Sequence, residues 1–210
     1  EFMMARRDKV AFVGKNGAGK TTLTRILLDL ESHDGELIKG HNVDIGYYAQ
    51  NQAEELDGKI TVLQTLEAEV TIESKVNLRS MLGSFLFSGE DVDKKVSVLS
   101  GGEKARLALC KLLLHPYNVL ILDEPTNHLD LKSKTVLKDA LENFDGSLIV
   151  VSHDRDFLSG LTEFVYEVTP TGLRQYIGDI KIFLHAKHAE SIGAYEASKT
   201  GERVIGKGKN

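Results

Sequence analysis

The stretch "KVAFVGKNGAGKTTLTRILLDL", residues 9–30, decides the fold of this chain. Its first five residues, 9–13, form a short apolar run typical of a buried strand, and residues 20–30 carry apolar side chains at helical spacing. Between them, residues 14–21 fit the pattern G-x-x-x-x-G-K-[ST]. A strand, a glycine-rich turn and a helix in this order predict a loop whose backbone N–H groups surround a phosphate.

The residue types of this loop match the groups of a nucleoside triphosphate. Its glycines let the backbone turn its N–H groups toward a β-phosphate, Lys20 can reach the β- and γ-oxygens, and the Thr21 hydroxyl is placed for Mg²⁺. A glycine-rich turn before an unrelated helix is the alternative, which the strand and helix around the loop disfavour. The residues that we expect to contact the nucleotide here are Gly14, Lys15, Asn16, Gly17, Ala18, Gly19, Lys20, Thr21 and Thr22.

Two acids follow a second apolar run, "VLIL" at residues 119–122. Asp123 and Glu124 therefore stand at the carboxyl end of a buried strand, where open α/β sheets bind their ligands. A parallel strand beside residues 9–13 would bring Asp123 close to Thr21 and to the metal. Glu124 would then face the water that attacks the γ-phosphate and would orient or deprotonate it. Without the phosphate loop, a role in capping the next turn would be the better interpretation of the two acids.

A histidine and a glutamine are further candidates at strand ends. His153 follows the apolar run "SLIVV" and could donate to the γ-phosphate, although a lone histidine is more often structural. Gln50 ends "IGYYAQ" and could reach the Mg²⁺ or the attacking water, although this residue is uninformative by itself. The other six histidines show no metal-ligand spacing, and we interpret them as surface or core residues.

Apolar runs that alternate with helical patterns predict an α/β fold with a mostly parallel sheet flanked by helices. We expect residues 35–40 and 42–50 to form an antiparallel edge, because their side chains alternate. A closing hairpin is expected from residues 163–169 and 172–178. Helical pieces within the more polar residues 61–98 predict a small α-helical subdomain.

The domain prediction is one unit over residues 1–180, with the helical subdomain at about 61–113. Residues 181–210 are expected to be a C-terminal helix, a tail or a linker. A solvated tail is favoured over RNA contact for the basic residues of that end. The opening residues, "EFMMARRDK", read as an expression scar or an arbitrary start, and we leave them out of the fold reasoning.

Composition limits the function classes. The chain has 210 residues, 41% of them hydrophobic and 27% charged, as in a soluble globular protein. Its net charge of −5 argues against nucleic-acid binding driven by overall charge. The single cysteine, Cys110, excludes an intrachain disulfide and fits a reducing, cytoplasmic compartment. No apolar run is long enough to cross a bilayer, so we expect no membrane insertion.

A second anion site is predicted at the start of "SVLSGGEKARLALCKLLL", residues 97–114. Ser100, Gly101 and Gly102 stand where this helix begins, and a helix start offers free N–H groups and a positive dipole end. No lysine follows at the position where a phosphate loop would have one. The sequence alone leaves open whose phosphate this helix start binds.

Taken together, these residues resemble the ATP-binding-cassette (ABC) ATPases over roughly residues 9–180. The motifs occur in the family's order: the Walker A loop at 14–21, the Q-loop residue Gln50, the signature "LSGGE", the Walker B run "ILDEP", the D-loop "NHLD" and the switch residue His153. The resemblance implies a Mg²⁺-dependent ATPase with Glu124, His153 and Gln50 as catalytic residues. Its metal ligands would be Thr21, Gln50 and Asp123.

The resemblance also implies a partner. Cassettes of this family pair head to tail, and each ATP lies between the Walker A loop of one cassette and the signature motif of the other. Ser100, Gly101, Gly102 and Asp130 are therefore expected to contact a nucleotide that a second cassette holds. The partner cassette would belong to the same full-length chain or to a homodimer.

Within the family, "DEPTNHLDL" followed by "GSLIVVSHDRDFL" is most similar to ABC-F proteins, and more to their C-terminal cassette than to their first. This implies ribosome association or a role in translation, with ribosome or RNA contacts made by the full-length protein. The alternative is the ATPase subunit of a membrane transporter. A non-catalytic, nucleotide-gated clamp is a third possibility, which the presence of Glu124 disfavours. The aromatic residue that stacks on adenine is expected to precede the chain.

Overall fold

The computed structural model describes residues 2–70 and 76–191. It contains one six-stranded sheet with the order β2-β3-β4-β1-β5-β6, in which every neighbouring pair is parallel except β5 and β6. The strands are β1 (Lys9–Val13), β2 (Ile45–Tyr48), β3 (Val119–Asp123), β4 (Ser147–Val151), β5 (Phe164–Thr169) and β6 (Gly172–Ile177).

Seven helices accompany the sheet in the described part of the chain. They are α1 (Lys20–Leu27), α2 (Val62–Glu67), α3 (Leu78–Ser84), α4 (Gly101–Leu114), α5 (Leu131–Glu142), α6 (Arg155–Leu158) and α7 (180–191). Short 3₁₀ turns at Gln52–Glu55, Gly89–Asp93 and Val96–Val98 connect them.

Five of these helices begin where the sequence supplies a side chain that caps the first turn. Thr61, Asn77, Ser100, Asp130 and Asp154 each accept a hydrogen bond from the backbone N–H three residues later, at the starts of α2 to α6. Such caps satisfy N–H groups that would otherwise lack a partner, each contributing roughly 1 kcal/mol. The helix starts are therefore a local property of the sequence.

The sheet is buried on both faces, as a sheet flanked by helices must be. Along β1, Val10 and Phe12 belong to one apolar cluster, whereas Ala11 and Val13 belong to the other, larger one. All five residues of β4 are buried. The predicted α/β fold with a mostly parallel sheet is confirmed, and so is the closing hairpin, which forms as β5 and β6.

The antiparallel edge predicted for residues 35–40 and 42–50 is wrong. Residues 35–40 form no strand and pair with no strand of the described residues, and Ile38 within them is 78% exposed. Strand β2 lies parallel to β3, with Ile45 opposite Val119. The backbone N–H groups of Asn118 and Val119 both donate to the carbonyl of Asp44, so the two strands enter the sheet from the same end.

The strand next to β1 also differs from the expectation. Strand β4, not β3, pairs with β1 on that side, and β3 lies one strand further out. The side chain at the start of α1 nevertheless reaches β3, because Thr21 Oγ1 donates to Asp123 Oδ2 over 2.9 Å. The predicted proximity of Thr21 and Asp123 therefore arises across β4 rather than between adjacent strands.

Leaving the opening residues out of the fold was likewise wrong. The ring of Phe2 packs edge-on against Phe12 at 5.3 Å and against Tyr166 at 5.0 Å. The Tyr166 hydroxyl donates to the carbonyl of Met3, and the Arg7 backbone N–H donates to Ser147 Oγ. Aromatic burial of this kind is a substantial part of core energetics, so residues 2–8 belong to the packed unit.

The helical region follows β2. The helical pieces predicted within residues 61–98 appear as the short helices α2 and α3, which pack with α4 around Leu66, Leu82 and Phe87. Residues 71–75 and 192–210 lie outside the described residues, so the predicted tail and the subdomain limits stay predictions. No helix within 2–70 or 76–191 has the length and apolar character needed to cross a bilayer.

Candidate functional site

The glycine loop, residues 14–19, connects the end of β1 to the start of α1. Gly14 has φ = 152°, and a Cβ there would lie 2.5 Å from the carbonyl oxygen of Val168, so only glycine fits. Gly19, the N-cap of α1, has the left-handed φ of 97°, and no side chain caps this helix start. Its first N–H groups are therefore available to an anion at the positive end of the helix.

Lys20 lies folded into this loop. The residue is 8% exposed, and Nζ donates to the carbonyl oxygens of Gly14 at 3.1 Å and Lys15 at 3.2 Å. Hydrogen bonds to loop carbonyls are what keep a buried ammonium group satisfied. The lysine charge is thus held at the glycine loop.

Asp123 contacts the start of α1 through Thr21. It is 3% exposed, and burial raises the pKa of its carboxyl group, which the Thr21 hydrogen bond and the Lys20 charge oppose. A carboxylate, a hydroxyl and the nearby Gln50 amide are hard oxygen donors of the type that Mg²⁺ prefers.

This donor set fits a shared metal site rather than an all-protein cage. Among the residues that the structure describes, no group of three or more His, Cys, Asp or Glu side chains is arranged to hold a metal. Mg²⁺ usually keeps waters and substrate phosphates and takes one or two protein ligands. Thr21, Asp123 and Gln50 could hold the ion in that way.

Glu124 and His153 lie at the carboxyl ends of β3 and β4. Glu124 has the left-handed φ of 51°, and its backbone N–H donates to the carbonyl of Val151 over 2.8 Å. His153 Nε2 is 3.5 Å from Glu124 Oε1, with side-chain exposures of 54% and 14%. Burial raises the pKa of Glu124, whereas the His153 charge and its backbone N–H oppose that shift. A carboxyl group with a raised pKa suits general-base chemistry near neutral pH.

One cavity of ≈ 530 Å³ joins these groups. Ten of its lining residues are sequence-predicted site residues, and two more, Asn127 and Val151, were not predicted. Gly14, Lys15 and Ala18 shape the loop without lining the cavity. The predicted residues in the lining are Asn16, Gly17, Gly19, Lys20, Thr21, Thr22, Gln50, Asp123, Glu124 and His153.

The predicted partner-facing residues lie outside this cavity. Ser100 begins α4, and its backbone N–H and Oγ both donate to Glu103 Oε2 at 2.7 Å. Asp130 begins α5, where its hydrogen bonds with Ser133 hold the pKa of its carboxyl group below the usual range. The two helix starts are close, because a Cβ on Gly102 would lie 2.8 Å from the carbonyl oxygen of His128. The starts of α4 and α5 therefore form one surface, which lies outside the cavity.

Comparison with known proteins identifies the family. The sequence model described as "ABC transporter" matches residues 1–127, more than half of the chain. This chain belongs to the ABC transporter family. The predicted resemblance to ABC ATPases is therefore confirmed.

Relatives of this ABC domain support the ABC-F resemblance. YdiF of Bacillus subtilis is 48% identical over 187 residues, which are 89% of this chain and 29% of YdiF. ABC transporter F family member 2 of Arabidopsis thaliana is 46% identical over 182 residues, 85% of this chain and 27% of that protein. The chain thus spans under a third of the length of both relatives.

Solved structures agree with the fold of the ABC domain. An ATP-binding subunit of an ABC transporter superimposes with a TM-score of 0.71 at 16% identity, covering 84% of this chain and 81% of that one. A dimeric, post-hydrolysis ATP-binding cassette bound to ADP and Pi gives a TM-score of 0.65 at 20% identity, covering 81% and 85%. At such identities the likeness concerns the fold alone.

Sequence reasoning placed Asn127 in the D-loop motif but named neither Asn127 nor Val151 as a site residue, for different reasons. Asn127 lies in the turn after Glu124, and its backbone N–H donates to the Glu124 carbonyl. A polar residue three positions after a strand-end acid was a usable signal for it. Val151 lines the cavity at the end of β4, and an apolar strand residue carries no local signal that distinguishes it from the core.

Proposed function

We propose that this chain binds and hydrolyses ATP as one cassette of an ABC-F protein. The observation that carries the proposal is one cavity that brings the glycine loop, Lys20, Thr21, Asp123, Glu124 and His153 together. Family membership supports the same activity. The alternative of a transporter subunit has no comparable support, because the relatives described above include a named ABC-F member.

Phosphate binding would use the glycine loop and Lys20. Backbone N–H groups at the start of α1 would hold the phosphate oxygens, in the favourable field of the helix N-terminus. Lys20 Nζ would exchange the carbonyls of Gly14 and Lys15 for the β- and γ-oxygens. Thr21, Asp123 and Gln50 would hold Mg²⁺, whose chemistry is to neutralise charge on those oxygens.

Hydrolysis would use Glu124 and His153. The Glu124 carboxylate would orient a water for in-line attack and accept its proton at Oε1 or Oε2. Burial raises the pKa of Glu124, which brings this pKa closer to the operating pH. His153, 3.5 Å away, would donate to the γ-phosphate as negative charge develops there.

A second cassette would complete the site. Ser100, Gly101, Gly102 and Asp130 lie outside this chain's own cavity, which supports a role at a nucleotide that the partner holds. Exposed apolar side chains beside them, Leu131 at 81% and Val98 at 69%, suit a surface that pairing would cover.

The whole protein's role rests on the family resemblance. We propose that it associates with the ribosome or RNA and that it works in the cytoplasm. Cys110 is free and fully buried, and burial raises the pKa of its thiol to about 12, as expected for a structural thiol. We also propose the domain limits 1–180 and 181–210.

The experiment measures mass in solution and ATP turnover with Mg²⁺-ATP for wild type, Glu124→Gln and a control, Glu142→Gln, which makes the same change on an exposed helical residue. Glu124→Gln should lose turnover by about 10²–10⁴-fold and retain ATP, while the control matches wild type. A dimer that forms only with ATP supports a homodimer, and an ATP-bound monomer supports a partner in the same full-length chain. Parent-rate turnover by Glu124→Gln would show that Glu124 is not the base.

Two further variants test the two halves of the site. Lys20→Ala should weaken ATP binding, and unchanged binding would remove the glycine loop from the proposal. Ser100→Arg should leave binding by a single chain nearly intact and block ATP-dependent pairing, because Ser100 lies outside the cavity. Loss of binding by the single chain would contradict the partner-facing role.

A further inference from the structure

His153 lies in a short loop, residues 152–154, between β4 and α6, here called the His153 loop. Its imidazole is about half exposed, so few contacts of its own ring fix it. The neighbouring residues fix it instead. Ser152 is buried, its Oγ lies 3.4 Å from Thr126 Oγ1 beyond β3, and it accepts the backbone N–H of Asp154 over 3.1 Å.

Asp154 anchors the other side of the His153 loop. Its Oδ1 accepts the Phe157 N–H over 3.0 Å and so caps α6, while Oδ2 accepts Lys134 Nζ over 2.6 Å. The Lys134 and Asp154 side chains are 33% and 19% exposed. A partly buried, hydrogen-bonded ion pair loses less to solvent screening than an exposed one does. Because α6 has only four residues, it depends on such contacts for its position.

Lys134 belongs to the first turn of α5, which is tied to the signature helix α4. Ser133 Oγ accepts Arg106 Nη1 over 2.7 Å, and the Ser133 N–H donates to Asp130 Oδ1 over 2.8 Å. Arg106, on α4, also lies 5.4 Å from the ring centroid of Phe87. One helical turn therefore contacts the surface around Asp130 on one side and the His153 loop on the other.

We propose that Lys134 is a positioning residue for hydrolysis, which holds His153 against the Glu124 edge of the cavity through Asp154. Because the first turn of α5 contacts both Asp130 and Asp154, it links the partner-facing surface around Asp130 to the His153 loop. This inference rests on the proposed function. Lys134 itself does not line the cavity, so its effect on the reaction acts through the His153 loop.

The test compares Lys134→Met with two control variants by steady-state ATPase kinetics. Lys138→Met removes the hydrogen bonds from Lys138 Nζ to the carbonyls of Asp156 and Ser159, so it loosens the same pair of helices without touching Asp154. Lys132→Met removes an exposed charge from the same turn as Lys134. Lys134→Met should lower kcat by about tenfold with KM within about twofold, the range expected for an indirect coupling.

Both controls should stay within about twofold of wild type in kcat, and Lys134→Arg should restore most of the activity, since arginine also donates to a carboxylate. A merely structural role would instead lower kcat equally in Lys134→Met and Lys138→Met, in proportion to their lost thermal stability. That result would overturn the inference.

A second readout does not depend on turnover. The ring ¹H–¹⁵N signals of His153, assigned with His153→Gln, should shift in Lys134→Met and stay unchanged in Lys132→Met. If wild type lacks ATPase activity, the proposed function fails, and these signals still decide whether Lys134 positions His153. If wild type is active but Lys134→Met matches Lys132→Met in signals or in kcat, the positioning role alone is overturned.

Discussion

Gly101 and Gly102 are adjacent in the first turn of α4, yet the structure surrounds them differently. A Cβ added to Gly102 would lie 2.8 Å from the carbonyl oxygen of His128, whereas a Cβ on Gly101 would meet nothing within 4 Å. Both glycines lie in the helix, and neither has a positive φ. Alanine substitution at the two positions therefore separates the effect of steric contact from that of backbone entropy.

The expected magnitudes follow from these contacts. Gly101→Ala should stabilise the fold by about 0.4–1 kcal/mol, because alanine lowers the entropy of the unfolded chain without meeting a neighbour. Gly102→Ala gains the same entropy term but forces a backbone carbonyl to move, at an overpacking cost of about 1–3 kcal/mol. The two variants should thus differ by about 1–3 kcal/mol, or roughly 2–12 °C in Tm at about 2–4 °C per kcal/mol.

Thermal unfolding without nucleotide measures this difference, and urea unfolding provides a second estimate of the free energy. ATP binding by single chains should be unchanged in both variants, because neither glycine lines the cavity. Equal stability of Gly101→Ala and Gly102→Ala would refute the close approach of the signature helix to the turn at His128.

Three other predictions concern burial. Glu124→Gln should be more stable than wild type at pH 8, because burial raises the pKa of Glu124 and the ionised carboxyl group therefore destabilises the folded state once the pH exceeds that pKa. Urea unfolding at pH 8 and pH 5 checks the sign, and an advantage that grows toward acid would contradict it. Phe87→Ala should cost about 3–5 kcal/mol in urea unfolding, because this ring is 1% exposed; a loss under 1 kcal/mol would argue against its core position. Cys110 should react with a thiol reagent at pH 8 only after unfolding, because its thiol is buried and its pKa is raised to about 12; rapid labelling of native protein would contradict this.

Local patterns in the sequence predicted the elements that carry their own signals. Strand β1 and the helix after it follow from an apolar run, a glycine-rich turn and helical spacing, and β1 has the predicted bounds, Lys9–Val13. The start of α5 is equally local, because the Asp130 side chain caps it within three residues. Such features depend on neighbours in the chain, so they can be read without knowing the tertiary structure.

Features that depend on distant pairing could not be read in this way. The direction of β2 is set by hydrogen bonds from Asn118 and Val119 to Asp44, more than seventy residues earlier in the chain. Packing of Phe2 on Tyr166 joins residues that lie far apart in the chain. The Lys134–Asp154 ion pair likewise links two helices whose separation in sequence gives no periodic pattern. Strand pairing and side-chain contacts of this kind are properties of the whole fold.

Under the proposed function, one side chain in each half of the site, Lys20 or Ser100, exchanges existing hydrogen bonds for new ones when ATP binds. Lys20 Nζ already donates to two loop carbonyls, and Ser100 already donates to Glu103. A net hydrogen bond contributes only about 0.5–1.5 kcal/mol when it replaces an existing one, whereas a buried group left unsatisfied costs more. The internal partners therefore keep each half stable without nucleotide and limit the affinity of each half alone. Release after hydrolysis would restore these internal bonds, which favours reversible pairing of two cassettes over a permanent complex.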